Sequence, residues 1–135
     1  MMRECLRPEI LQAVEAAQDK QAVEVTVLNL SGTGAFAEYF LLCSGHSQPQ
    51  LQAIAEGIEE RLDRQGIRVA HREGKFGAEW VLLDYGFFVV HIFSQRAREY
   101  YDLERLWRNA ERVNFDTPGP IPETRPGTES GAAQE

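Results

Sequence analysis

Residues 80–84 and 87–93 are two nearly unbroken apolar runs, and only Tyr85 and Gly86 lie between them. Runs this short, this rich in Val, Ile, Phe and Trp and this close together read as a β-hairpin, because Gly86 can take the positive φ that a tight turn demands. With Tyr85-Gly86 as the turn, Asp84 faces Phe87, Leu82 faces Val89 and Trp80 faces His91. Side chains alternate along a strand, so the hairpin has two unlike faces. One holds Val81, Leu83, Phe88, Val90 and Ile92, all apolar, and is expected to pack beneath helices. The other holds Trp80, Leu82, Asp84, Phe87, Val89 and His91, a mixture of large apolar groups, a charge and an imidazole.

The remaining segments supply what such a hairpin can pack against. Pro8 to Lys20 carries Ile10, Leu11, Val14 and Ala17 on one helical stripe. Residues 23–30 alternate like a strand, Gly32 and Gly34 interrupt it, and residues 39–43 form an apolar run expected to be buried on both faces. Ser47 with Gln50 has the spacing of a capping box, and it opens an amphipathic helix that buries Leu51, Ile54, Ala55, Ile58 and Leu62 and stops at Gly66. A short strand over residues 67–71 and a loop over residues 73–77 follow. Residues 95–113 read as one last helix, with Leu103, Leu106, Trp107 and Ala110 inward and Arg96, Arg98, Arg105, Arg108 and Arg112 largely outside. Four of the chain's 6 prolines lie beyond Asn114, so residues 1–113 are expected to form one domain and residues 114–135 a disordered tail. The expected class is α/β, a single domain ordered α-β-β-α-β-β-β-α around one mixed sheet.

Composition narrows the function. A net charge of −7, from 14 Lys and Arg against 21 Asp and Glu, is the wrong sign for a broad grip on phosphate backbones and suits a basic protein partner. Direct nucleic-acid binding is therefore not expected. Cys5 and Cys43 make neither a disulfide framework nor a four-ligand zinc site, and Cys43 reads as an inert core thiol. His46, His71 and His91 fall in separate elements without metal-ligand spacing, and His91 reads as a satisfied sheet histidine. Ser44-Gly45-His46-Ser47, at a strand-to-helix turn, is the one loop whose amides could cradle a phosphate. It is the basis of an alternative reading as a nucleotide-binding enzyme, although Asp84 has no second carboxylate two positions away to hold magnesium. No apolar run is long enough to span a bilayer and the first residues lack a signal-peptide core, so a cytoplasmic protein with no membrane contact is expected.

Five pieces then carry a family pattern: residues 38–47, residues 52–55, residues 80–86 (Trp80 to Gly86), residues 89–93 and residues 100–107 (Tyr100 to Trp107). Their order and spacing resemble the ribosomal silencing factor (RsfS, Iojap-like) family over residues 9–110. The resemblance implies a five-stranded mixed sheet with flanking helices, nucleotidyltransferase-like in shape, and a homodimer. It implies a partner, large-subunit ribosomal protein fourteen on the large ribosomal subunit, and a steric block of subunit joining that represses translation under nutrient limitation. No enzyme activity and no cofactor are implied. Carried over residue by residue, it points to Trp80 as an anchor, Asp84 facing a basic side chain, Tyr85 and Tyr101 as contact area, and His91 and Glu104 as contacts or supports. Phe87 and His46 depart from the usual pattern, and an acidic residue is the rule where Phe87 stands.

Overall fold

The computed structural model describes residues 6–75 and 77–115. Its elements run α1 (Pro8–Asp19), β1 (Val23–Asn29), β2 (Tyr39–Gly45), α2 (Gln48–Asp63), β3 (His71–Glu73), β4 (Trp80–Asp84), β5 (Phe88–Ser94), α3 (Gln95–Tyr101), α4 (Leu103–Leu106) and β6 (Glu111–Asn114). The strands form one sheet in the order β3-β4-β5-β2-β1-β6. β2 and β5 run parallel at its centre and every other pair is antiparallel. The expected mixed α/β sheet is present, with six strands rather than five.

α1 and α2 cover one face. Ile10, Val14, Leu51, Ile54, Ile58 and Leu62 from the helices meet Val81, Leu83, Phe88, Val90 and Ile92 from the hairpin, all but Val14 and Leu51 fully out of solvent. At about 1.5–3 kcal/mol for each such side chain, this layer is the main source of stability. α3 and α4 cover only part of the other face, over Leu28, Leu42 and Phe93.

The hairpin turn sits one residue later than its sequence suggests. Asp84 pairs with Val89, Leu82 with His91 and Trp80 with Phe93, and the Tyr85 amide donates to the Phe88 carbonyl (2.9 Å). The two-residue turn is thus Gly86-Phe87, with Gly86 at its first position (φ 92°), where the mirror-image turns that suit hairpin twist require glycine. Asp84 Oδ1 accepts the Gly86 amide at 2.8 Å and fixes the choice. Moving a turn by one residue moves the register by two, so the side chains that remain in the strands keep their expected faces, whereas Phe87, expected beside Asp84, packs against the α1–α2 layer. Phe87 leaves the strand and lies half-buried beneath the Arg7 guanidinium, 3.9 Å from its ring centre.

Two further elements differ from expectation. The Ile67 amide is spent on the Leu62 carbonyl (2.9 Å), closing α2 through Gly66 (φ 80°), so the strand begins at His71, and before it Ile67 and Val69 only pack against the core. The long last helix breaks at Asp102, which takes a left-handed conformation (φ 48°, ψ 53°), and α4 lasts a single turn. Residues 111–114 then pair with β1 as an edge strand, and Val113 and Phe115 are buried under α1. The Phe115 amide donates to the Val25 carbonyl (2.8 Å), and Gln18 donates to the Phe115 carbonyl (3.1 Å). Asn114 and Phe115 therefore belong to the sheet layer, and the rest of the expected tail, 116–135, lies outside the described residues.

Gly74 (φ 100°) stands where an added Cβ would lie 2.6 Å from the Trp80 carbonyl oxygen and 2.9 Å from Val81 Cα, whereas one at Gly86 would meet nothing within 4 Å. Gly86→Ala is expected to lose only the left-handed penalty of about 1–2 kcal/mol. Gly74→Ala is expected to lose clearly more in urea denaturation, because backbone atoms of β4 must also move.

Candidate functional site

On the incompletely covered face, strand alternation lines up Trp80, Leu82 and Asp84 from β4 beside Phe93, His91 and Val89 from β5 and Ser44, Leu42 and Phe40 from β2. Trp80 is half-buried at the centre of a ring cluster. Tyr101 lies 4.6 Å from it, Phe93 5.1 Å and His91 5.7 Å between ring centres, and Phe40 meets His91 edge-on at 4.4 Å. Tyr100 packs edge-on to Tyr101 at 5.1 Å. Outward from this cluster stand Tyr101, 49% exposed, Tyr100, 81% exposed, and Leu106, 71% exposed. Between Tyr100, Tyr101, Ala97 and the Glu79–Arg96 ion pair runs a groove of about 350 Å³. Large rigid rings beside a charged rim are the composition of protein-binding hot spots.

His91 is a support. Its ring is 4% exposed, and Nδ1 accepts the Trp80 indole N–H at 3.1 Å. A neutral imidazole that accepts at Nδ1 carries its proton at Nε2. Nε2 is buried with no partner among the described residues. Burial pushes the His91 pKa down to about 4, so the ring is neutral around pH 7 and serves as the acceptor that orients Trp80.

Glu104 is also occupied within the chain. Arg98 Nε donates to its Oε1 (3.0 Å) and Arg98 Nη2 to its Oε2 (2.9 Å), a bidentate pair that holds the Glu104 carboxyl below the usual carboxylate range. Arg98 itself is 8% exposed, and its Nη1 donates to the Glu24 carbonyl (2.7 Å) and to Ser44 Oγ (3.1 Å). This overturns the expectation of an outward Arg98, while Arg96, Arg105, Arg108 and Arg112 do lie exposed. Sequence spacing hid the pair. Arg98 and Glu104 are six residues apart, which a continuous helix puts on different faces, and only the break at Asp102 brings them together. The signal available was Asp102 itself, a residue type that competes with helical bonding, just ahead of Leu103-Glu104.

The other two expected residues are placed apart from the cluster. Asp84 lies on the same face as Trp80 but about 13 Å further along β4, half-buried and bonded to the turn. Tyr85 points to the opposite layer, 9% exposed and stacked on Phe88 at 5.0 Å; burial, with Glu59 and Asp63 nearby, pushes its hydroxyl pKa up.

The loop that could have cradled a phosphate is filled from within. The His46 amide donates to Gln50 Oε1 (2.6 Å) and the Gln50 amide to Ser47 Oγ (3.2 Å), while Gln50 Nε2 donates to the Lys20 and Gln21 carbonyls (3.1 and 3.0 Å). The Ser47 cap is as expected, but the reciprocal bond of a capping box goes to His46 instead. Among the described residues there is no group of three His, Cys, Asp or Glu able to hold a metal, and no helix long and apolar enough to cross a membrane.

The family model described as "Ribosomal silencing factor during starvation" matches residues 4–135. This chain belongs to the RsfS family. The ribosomal silencing factor RsfS of Halalkalibacterium halodurans is 44% identical over 109 residues, 80% of this chain and 93% of that protein. That of Bacillus subtilis is 43% identical over 104 residues, 77% of this chain and 88% of that protein. A crystal structure of a Chromobacterium violaceum protein superposes with a TM-score of 0.72 at 29% identity, covering 84% of this chain and 94% of that one. An RsfS-type regulatory role is the class of function these relatives' names carry, and the sheet face is the feature to be weighed against it.

The buried neutral histidine sets a pH dependence. His91 has its folded pKa depressed from 6.5 to about 4, so its contribution is fully present above pH 6.5 and is lost as pH falls toward 4. Urea unfolding should give about 2 kcal/mol less stability from this group at pH 5 than at pH 7. His91→Asn, which keeps an acceptor near Trp80 but does not titrate, should remove that part of the slope.

Proposed function

We propose that the chain binds the large ribosomal subunit through large-subunit ribosomal protein fourteen, and that its bulk there keeps the small subunit from joining, which lowers translation when nutrients are scarce. The observation that carries this reading is the half-open sheet face, where Trp80 and Tyr101 form a ring platform that continues into exposed Tyr100 and Leu106. A net charge of −7 favours a basic protein partner over bare phosphate. Obstruction needs a shaped, rigid surface and no reacting group, so the function requires neither a catalytic residue nor a cofactor. In this reading the protein works in the cytoplasm, where the ribosomes are, and as a homodimer.

The roles within the face follow from exposure. Tyr101, with Tyr100 and Leu106 beside it, makes the contact, Trp80 is the rigid base beneath it, and His91 orients Trp80. Asp84, further along the strand, meets a basic side chain of the partner at the rim. Tyr85 acts from the opposite layer by stacking on Phe88 and stiffening the hairpin turn.

Sedimentation of the purified protein with isolated large subunits tests the reading. Wild type is expected to travel with the subunits, and Tyr101→Ala, whose ring is half in solvent and so contributes little to the fold, should bind at least tenfold more weakly. Gln12→Ala, on the opposite helical layer, should bind like wild type. Failure of wild type to travel with large subunits would refute the ribosomal reading.

A further inference from the structure

Arg98 is the one buried arginine among the described residues; two of its bonds reach the sheet and two join α3 to α4. Three separate irregularities of the chain converge on it. Glu24 adopts a left-handed φ of 53° in the stretch of β1 where the register with β2 slips, and it is the Glu24 carbonyl that receives Nη1. Ser44, 0% exposed in the central strand β2, places a hydroxyl where an aliphatic side chain would otherwise fill the layer, and Nη1 reaches it. Asp102 breaks the helix with a left-handed φ of 48°, and the turn that follows returns Glu104 to the guanidinium. Non-glycine residues adopt such conformations only when their surroundings hold them there.

Tyr101 sits immediately before the break, and its ring is the one packed 4.6 Å from Trp80. The position of that ring therefore depends on where α3 ends and α4 begins, which the Arg98–Glu104 pair sets. We infer that Arg98 is a positioning residue of the docking face: with Glu104 it locks the α3–α4 corner so that Tyr101 is held on Trp80 as a pre-formed platform, and Glu104 is spent on this lock and does not contact the partner. The inference deepens the ribosomal reading and rests on it for its biological meaning, while its geometric part can be read on the free protein.

Trp80 and Trp107 are the chain's 2 tryptophans, so a Trp107→Phe background leaves Trp80 as the sole reporter. In that background, Glu104→Gln and Arg98→Lys are compared with the parent by near-ultraviolet circular dichroism, acrylamide quenching of Trp80 and co-sedimentation with large subunits, after far-ultraviolet spectra establish folding. Both variants are expected to lose ring-packing dichroism, to at least double the quenching of Trp80 and to bind at least tenfold more weakly. Arg98→Lys keeps the charge but cannot reach all four acceptors, so it is not expected to rescue. Unchanged Trp80 signals in both variants would overturn the inference whatever the binding. Weakened binding by Glu104→Gln with unchanged Trp80 signals would instead make Glu104 a direct contact. Loss of cooperative folding in both variants would assign the pair to the fold as a whole and likewise overturn it. If the parent fails to bind large subunits while the Trp80 signals shift as expected, the ribosomal reading fails and the lock stands.

Discussion

A guanidinium cannot be deprotonated and cannot be left unsatisfied inside a protein, so burying Arg98 dictates much of what surrounds it. It needs acceptors in several directions, and the chain delivers them from three elements: a main-chain carbonyl from β1, a hydroxyl from β2 and a carboxylate from α4. Each delivery bends the chain away from regularity. The slip in β1, a serine in the central strand and the left-handed corner at Asp102 are local costs, accepted around one buried guanidinium that makes four hydrogen bonds. Removing either partner of such a pair from a buried site costs roughly 3–5 kcal/mol, toward the lower end here because Glu104 retains some solvent contact.

The consequence is a molecule whose two faces are built on different principles. Under α1 and α2 the hairpin offers only apolar side chains, close-packed and completely covered, and nothing there needs orientation beyond fit. On the other face, polar groups set angles: the Arg98 pair fixes a corner, and His91 Nδ1 accepts a hydrogen bond from the Trp80 indole N–H and so fixes a ring. Placing oriented aromatic groups on a rigid sheet, with the covering layer left incomplete, is how a small acidic domain can present a pre-formed surface. The chain's membership of the RsfS family is consistent with such a surface serving a regulatory role.

Elements with one dominant signal were legible in the sequence. The stripes of α1 and α2, the cap at Ser47 and the two faces of the hairpin follow from spacing alone, and the faces held even though the register moved by two residues, because strand parity survives an even shift. What was not legible was decided by competition between near-equal local choices. The runs around Gly86 allow two turns, and a single side-chain bond from Asp84 selects one. Residues 103–110 carry a helical stripe, yet the helix breaks at the left-handed Asp102, and the pair that accompanies the break joins residues six apart, a spacing no helical pattern signals. β6 has only Val113, with Phe115 just beyond it, to announce it, and a period of two that short does not outvote the helix before it. Of the six residues the family pattern marks, Trp80, His91 and Tyr101 come together in one cluster and Glu104 is tied to it through Arg98. Asp84 lies along the same strand, and Tyr85 sits in the opposite layer because one step along a strand reverses the face.

Hydroxyl-radical footprinting of the protein, free and bound to isolated large subunits, measures the central claim directly, because it reads side-chain exposure residue by residue. The docking account predicts that Tyr100, Tyr101 and Leu106 lose reactivity on binding while Leu11 and Ile67, on the helical layer opposite, keep theirs. Protection of the α1–α2 layer with Tyr100, Tyr101 and Leu106 unchanged would contradict it.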